Sequence, residues 1–222
     1  MSAAKKKIDA TPEELRQPLM EAVLTHAAFD GWSFAALNRA AADIGVSAEM
    51  AELAFPRGGI EVLEMHLADA DIKMCAALDI LDLGSMRIQD RIKTAVRTRL
   101  EQNQSHRSAI QRGIALLSLP AHADIGIKAL ETTMDLMWTA AGDTSTDFNW
   151  YSKRIILSGV YMSTLMVWLS DESPDYAETW EFLDRRISGV MKFEKAKWDF
   201  KSKTANMPSL SRFLGRLRYG SK

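Results

Sequence analysis

FDGWSFAALNRAAADIGVSAEMAELAFP, residues 29–56, is the stretch that decides the fold. Ser33 and Ser47 each precede a short helical pattern, and a serine at that position accepts a hydrogen bond from the first turn of the following helix. Gly45 lies between the two patterns, where a residue that tolerates positive φ commonly ends a helix. Two short helices joined at Gly45 predict a helix-turn-helix in the N-terminal part of the chain.

The rest of the chain predicts helices only. Apolar residues recur about every 3.6 residues in nearly every segment, and no segment shows sustained alternation. Thr11 and Pro12 favour a helix start, although Pro18 is expected to delay the main first helix. The fold class is therefore all-α, a bundle of about nine helices followed by a C-terminal amphipathic helix.

We expect a single domain, since the chain is too short for two independent cores. Residues 1–60 would contain the helix-turn-helix part, and residues 61–200 a helical bundle. Residues 201–222 would form a linker and the amphipathic helix. The first residues lack the features of a signal or transit peptide, so we expect the whole chain to be the mature protein.

Composition limits the possible partners. The net charge of −1 at pH 7 gives no overall attraction to phosphate, so binding of nucleic acid would need a local basic patch. Cys75 is the single cysteine, which excludes an intramolecular disulfide.

The helix-turn-helix resembles the N-terminal unit of TetR-type regulators, but its residues argue against DNA binding. No lysine or arginine occurs from residue 40 to residue 56, and Asp43, Glu49 and Glu52 are acidic. Regulators of this type usually carry a lysine and a tyrosine where this chain has Ala48 and Glu52. An acidic recognition helix repels the DNA backbone, so we expect no nucleic-acid partner. A ligand-responsive TetR-type transcription regulator is the alternative function.

The most specific motif lies between residues 135 and 154. It consists of DLMW at 135–138 and AGDTSTDFNWYSKR at 141–154, and SPD at 173–175 and TWEFLDRR at 179–186 follow it. Together with FDGW at 29–32, these segments resemble the ubiquinone-biosynthesis accessory family, whose members are lipid-binding proteins with a TetR-like fold. The resemblance covers residues 18–192 and implies a non-catalytic protein that presents polyprenyl quinone intermediates to the demethoxyubiquinone hydroxylase at a membrane.

The aromatic residues of this motif predict an exposed patch. Phe148 and Tyr151 share a helix face, whereas Trp150 points elsewhere, so at least one aromatic side chain must face outward. Exposed aromatic and methionine side chains with flanking acids are typical of protein interfaces. The resemblance implies that the di-iron hydroxylase binds here, through Asp135, Met137, Asp147, Trp150 and Tyr151. For Trp138 we expect core packing instead.

The later helices carry the predicted lipid site. Its candidate residues are Met134, Tyr161, Met162, Leu165, Met166 and Trp168. Methionine-rich apolar surfaces adapt to irregular ligands. A filled core is the alternative, and spacing alone favours it. The resemblance favours a cavity that binds isoprenoid quinone intermediates and phospholipids.

The tail, residues 209–219, predicts a membrane-binding helix. Its apolar residues recur at i, i+3, i+4 and i+7, and arginines lie off that stripe. Such a helix suits the headgroup region of an anionic membrane, although docking on its own bundle is the alternative. The predicted membrane-binding residues are Leu210, Arg212, Phe213, Leu214, Arg216, Leu217 and Arg218.

No catalytic or metal-binding motif supports an enzyme. The four histidines are dispersed, and none belongs to a helical Glu-x-x-His or His-x-x-x-His pair. We therefore expect no enzymatic activity, no metal and no cofactor; an enzyme acting on a lipid would need a polar cluster inside the cavity. The resemblance implies a homodimer formed through the last long helices. It also implies a cytoplasmic location peripheral to the inner membrane, or the mitochondrial matrix side in a eukaryote.

Overall fold

The computed structural model of the chain describes residues 10–144 and 148–205. Within these ranges it contains nine α-helices and no β-strand, which confirms the predicted all-α class. The helices are α1 (Pro12–Asp30), α2 (Phe34–Asp43), α3 (Ala48–Ala54), α4 (Gly59–Asp79), α5 (Ile88–Glu101), α6 (Arg107–Leu117), α7 (Ala123–Ala140), α8 (Phe148–Ser170) and α9 (Ala177–Ala205).

The helix caps form as their residue types suggest. Thr11 and Glu14 make a capping box, in which the Thr11 N–H donates to the Glu14 carboxylate at 2.8 Å and the Glu14 N–H donates to the Thr11 hydroxyl at 3.3 Å. Ser33 and Ser47 each accept a backbone N–H from three residues further on, at 3.2 and 3.3 Å. These two caps fix the starts of α2 and α3, the predicted helix-turn-helix.

The prediction that Pro18 delays the first helix is wrong, because α1 begins at Pro12 and carries Pro18 in its interior. A proline there removes one backbone hydrogen bond and costs about 3 kcal/mol. The capping box at Thr11 fixes the start of the helix, and Leu15 and Leu19 are buried on either side of the proline. Tertiary packing of the apolar face therefore outweighs the local penalty.

Trp32 connects the helix-turn-helix to the rest of the bundle. Its side chain is buried, and its indole N–H donates to the backbone oxygen of Ala109 in α6 at 2.8 Å. The backbone after Trp32 passes so close to the start of α4 that a Cβ on Gly59 would lie 2.1 Å from the Trp32 carbonyl carbon. Only glycine fits at that crossing.

The helices from α4 to α8 pack on one another and form the second part of the bundle. α4 packs on α5 and α7, and α7 also packs on α5, α6 and α8. The described chain divides into two compact units, Met1–Leu183 and Asp184–Lys222. The first unit contains α1 to α8 and the beginning of α9. No helix within the described ranges combines the length and the apolar character that crossing a bilayer requires.

We expect Gly59→Ala to lower the free energy of unfolding by about 3 kcal/mol, because the new methyl group collides with the backbone of Trp32 rather than with a movable side chain. Chemical denaturation of the purified protein measures this change. Gly84→Ala is the matched control, since its Cβ would meet nothing closer than 3.5 Å. Equal stability of the two variants would contradict the packing described for Trp32.

Candidate functional site

A cavity of about 280 Å³ lies among α4, α5, α6, α7 and α8. Its wall is mainly apolar, and every one of these five helices contributes to it. The large apolar residues of the wall are Leu63, Leu67, Leu100, Ile110, Ile114, Leu117, Ile127, Leu130, Met162 and Leu165. A concave apolar site with a few polar groups is the usual form of a small-molecule site.

A buried ion pair forms part of the cavity wall. The Arg99 Nε donates to an Asp71 carboxylate oxygen at 2.9 Å, and both side chains are almost fully buried. The Thr133 hydroxyl lies 3.0 and 2.9 Å from the two Asp71 oxygens, and a second Arg99 nitrogen donates to the backbone oxygen of Leu67 at 3.2 Å. Because the carboxylate and the guanidinium are paired and hydrogen-bonded, the pair leaves no net charge in the wall.

His66 is the second polar feature of the wall. It is 5% exposed, and its ring stacks on Trp32 with ring centroids 5.6 Å apart. Within the described part of the chain, its buried Nδ1 has no hydrogen-bond partner. Burial, reinforced by the positive charge of Arg99, lowers the pKa of His66 to about 4. The imidazole is therefore neutral near pH 7 and can donate one hydrogen bond and accept another.

Two more buried polar residues line the cavity near the Arg99–Asp71 ion pair. Asn103 is 4% exposed, and its amide donates to the backbone oxygen of Arg99 at 2.8 Å. Tyr161 is also buried, and burial raises the pKa of its phenol. Both side chains are thus neutral hydrogen-bonding groups in an apolar surrounding.

The structure places three of the six predicted lipid-site residues at this cavity. Tyr161, Met162 and Leu165 line it. Met134 and Trp168 are fully buried and Met166 is 44% exposed, and these three do not line it. Binding of lipid by any of them stays a prediction.

Sequence reasoning missed the contribution of α4 to α6. Leu63, His66, Leu67 and Ala70 follow the i, i+3, i+4, i+7 spacing of one helix face, so His66 is a polar residue on an otherwise apolar stripe. That interruption was the available signal. It does not reveal the cavity by itself, because a histidine on such a stripe can equally be bonded within a filled core.

The predicted partner patch is partly exposed. Tyr151 is 62% exposed, and its ring contacts the ring of Trp150 edge to face at 4.7 Å between centroids. Trp150 also makes a cation–π contact, because the Arg154 guanidinium carbon lies 3.9 Å from the centroid of its ring. Trp150 is half-buried, so Tyr151 is the more exposed of these two aromatic side chains.

The expectation that Met137 is exposed on this patch is wrong. Met137 has no solvent exposure, because it shares the inward face of α7 with Thr133 and Met134. Trp138, expected in the core, is half-buried, and Lys153 lies over its ring at 5.4 Å. The prediction was wrong because it placed Met137 by its closeness to the loop and did not consider which face of α7 it lies on.

The acidic residues of the motif have structural partners. Arg154 donates from Nε to Asp135 at 2.8 Å, and Asp143 accepts from Lys153 at 2.6 Å. Arg154 also approaches Asp143, at 3.4 Å, so one arginine joins the end of α7, the following loop and α8. Asp147 lies outside the described residues.

Asp171 organises the second segment of the motif. Burial by itself would raise the pKa of Asp171, but hydrogen bonds from the hydroxyl and backbone N–H groups of Ser173 and Thr179 lower it to about 2. These bonds fix the turn between α8 and α9. Trp180, at the start of α9, donates to the backbone oxygen of Asp175 at 2.8 Å.

The predicted membrane-binding residues of the tail lie outside the described residues; they are Leu210, Arg212, Phe213, Leu214, Arg216, Leu217 and Arg218.

The helix that would read DNA is α3. Its exposed residues include Glu49, Glu52 and Leu53, so it presents two acidic side chains and an apolar one. Among residues 10–144 and 148–205, no three His, Cys, Asp or Glu side chains are grouped to hold a metal ion.

The buried His66 predicts an acid-dependent loss of stability. In the unfolded chain the imidazole gains a proton near pH 6.5, whereas in the folded protein it stays neutral down to about pH 4. Between these values the unfolded state binds more protons, so the free energy of unfolding falls as pH falls, by about 3 kcal/mol from this group.

Denaturation curves at a series of pH values measure this loss. His66→Phe, which keeps a ring against Trp32, should remove it. His122→Gln, at a histidine that does not line the cavity, should retain it. A pH profile unchanged in His66→Phe would show that other titrating groups, and not His66, cause the acid destabilisation.

Comparison with solved structures supports the fold. The chain matches the crystal structure of the TetR transcriptional regulator from Nitrosomonas europaea with a TM-score of 0.63 and 21% sequence identity, over 79% of this chain and 97% of that one. This likeness confirms the TetR-like all-α fold. At this level of identity it concerns the fold alone.

Comparison with known sequences identifies relatives. The COQ9 family model matches residues 123–194, which include α7, α8 and the start of α9. The ubiquinone biosynthesis protein COQ9, mitochondrial, of Rattus norvegicus is 31% identical over 186 residues, which are 81% of this chain and 59% of the relative. COQ9-B of Xenopus laevis is 32% identical over 81% of this chain and 63% of its own length. The chain thus spans about three fifths of these relatives. It belongs to the COQ9 family.

Proposed function

We propose that this protein is a non-catalytic accessory protein of ubiquinone biosynthesis that holds an isoprenoid quinone intermediate in the cavity among α4 to α8. The relatives named above carry ubiquinone biosynthesis in their names. The single observation that carries the binding role is the cavity itself, with its apolar wall and its buried neutral polar groups. The chemistry on the bound intermediate would be done by a partner, the demethoxyubiquinone hydroxylase.

The size of the cavity supports partial enclosure of such a ligand. A volume of about 280 Å³ lies near the lower end of the roughly 300–1,000 Å³ typical of small-molecule sites. It suits a substituted ring and a short stretch of tail, and a long polyprenyl chain would extend beyond it. Partial enclosure is useful in a carrier, because the exposed remainder of the ligand can stay in a membrane during transfer.

The alternative, a TetR-type regulator of transcription, is less well supported. α3 presents Glu49 and Glu52 on its exposed side, and the phosphate backbone of DNA repels both. Asp43, at the end of α2, is exposed and pairs with His26 at 2.7 Å. The electrostatics of this face therefore favour a helix-turn-helix that contributes packing and does not bind DNA.

We expect the purified protein to retain an isoprenoid lipid or phospholipid, detected by native mass spectrometry followed by lipid extraction. Ala129→Trp should lower that occupancy at least several-fold, since Ala129 lines the cavity and an indole would fill part of about 280 Å³. Thr132→Trp, on the exposed side of the same helix, is the matched control. Equal occupancy in both variants would place the lipid elsewhere.

Tyr151 supports a docking role for the patch next to the cavity helices. It is 62% exposed on α8, a helix that also lines the cavity through Tyr161, Met162 and Leu165. A hydroxylase bound at Tyr151 and Trp150 would thus contact the helix that holds the ligand. Asp135, close by, remains 45% exposed in its side chain while paired with Arg154 and can contribute a polar contact at the rim.

We expect Tyr151→Lys to weaken association with the demethoxyubiquinone hydroxylase by at least ten-fold, about the effect of losing one aromatic hot spot. Binding is measured with the purified hydroxylase by surface plasmon resonance. Phe29→Lys, which replaces an aromatic residue 80% exposed on α1, should bind normally. Normal binding by both variants would remove the patch from the proposal.

Membrane association and dimer formation complete the proposal. The amphipathic pattern of residues 209–219 supports reversible, peripheral binding to an anionic inner membrane. Ile155, which is 71% exposed on α8, and Met166 supply apolar surface for a homodimer. Membrane binding would bring the cavity and the hydroxylase to the surface where the lipid resides.

A further inference from the structure

The polar residues of the cavity are not spread evenly over its wall. Five of them are buried, namely Arg99 and four residues grouped with it: His66, Asn103, Thr133 and Tyr161. Direct bonds link Thr133 and Arg99 through Asp71, and Asn103 bonds the Arg99 backbone. We call this group the polar end of the cavity.

A second part of the wall is mainly apolar and more exposed. It is formed where α6 ends and α7 begins, by residues that include Leu117, Gly126 and Ile127. Ile127 is 60% exposed, and Leu117 and Gly126 are half-buried. Ser118, the polar lining residue in this part, is exposed and its hydroxyl donates to the Ile114 backbone oxygen at 2.7 Å. The apolar part of the wall near Ile127 is therefore more exposed than the polar end.

We infer that the polar end binds a neutral ring bearing hydroxyl or keto oxygens, with His66 as its hydrogen-bonding residue, and that the ligand's apolar tail lies along the exposed apolar wall near Ile127. This inference rests on the proposed function and adds the orientation of the ligand, the chemical class of its head and the residue that selects it.

His66 carries the unpartnered polar atom of this end. The residue is only 5% exposed, and its buried Nδ1 has no hydrogen-bond partner in the described part of the chain. A buried polar atom without a partner is costly, and a ligand oxygen that bonds it recovers that cost. Stacking on Trp32 holds the ring in one orientation.

The charge balance of this end selects a neutral head. Arg99 is already neutralised by Asp71 at 2.9 Å, and the Asp71 carboxylate would repel an anion brought to the guanidinium. His66 is uncharged near neutral pH because burial lowers its pKa to about 4. A carboxylate or diphosphate would lose its hydration here without gaining an unpaired positive charge. A phenol, quinol or quinone ring loses far less.

The test compares three probes with alkyl tails of similar length on the full-length protein. They are para-dodecylphenol, dodecylbenzene and dodecanoate, which present a neutral hydroxyl, no polar head and an anion. Affinities are measured by competition against a fluorescent lipid at pH 7. We expect the phenol to bind about five-fold tighter than dodecylbenzene, the gain from one net hydrogen bond, and tighter than dodecanoate.

His66→Phe should remove the advantage of the phenol over dodecylbenzene and leave the affinity for dodecylbenzene within about two-fold, because the apolar wall is intact. His106→Phe, at a half-buried histidine that does not line the cavity, should keep the advantage. The probe comparison on the wild-type protein decides the neutral-head inference even if His66→Phe folds poorly.

Three results would overturn the inference while leaving the lipid-binding proposal in place. They are equal affinity of the wild-type protein for the phenol and dodecylbenzene, tightest binding of dodecanoate, and a phenol advantage that persists in folded His66→Phe. Absence of binding by all three probes would instead remove the proposed carrier function together with this inference.

Discussion

The buried ion pair between Arg99 and Asp71 is the constraint on which the cavity depends. It joins α4 to α5, and the Thr133 hydroxyl adds α7, so three of the five cavity helices meet at one carboxylate. A buried pair contributes little net stability compared with apolar packing, but removing one partner strands the other charge. The three helices are therefore held in one relative register, and the wall between them cannot simply collapse into a filled core.

Trp32 connects the N-terminal helices to the cavity helices. Its indole bonds α6 through Ala109, and its ring supports His66 in the cavity wall. The helix-turn-helix is thus a packing element beneath the cavity, which explains how it can persist with Glu49 and Glu52 on the face that would meet DNA.

The family motif combines residues that hold the structure with residues that remain available. Arg154 ties Asp135 and Asp143 together, and Asp171 fixes the turn before α9, so much of the motif is explained by hydrogen bonds within the chain. Tyr151 is different, because its side chain is 62% exposed and most of its surface is not used in packing within the chain. A motif that is specific as a sequence signature is therefore a poor guide to which of its members meet a partner.

The sequence alone determined the all-α class and the starts of α2 and α3, because caps and periodicity are local: Ser33 and Ser47 act within one turn of the residues they cap. The TetR-like class and the family came instead from the resemblance of longer motifs, above all residues 135–154. Only the tertiary structure decided that α1 continues through Pro18, that Met137 faces inward, and that His66 joins Tyr161 at one cavity. Each of these depends on the rotation and contact of helices distant in sequence, and a polar residue on an apolar stripe does not reveal what faces it until the helices pack.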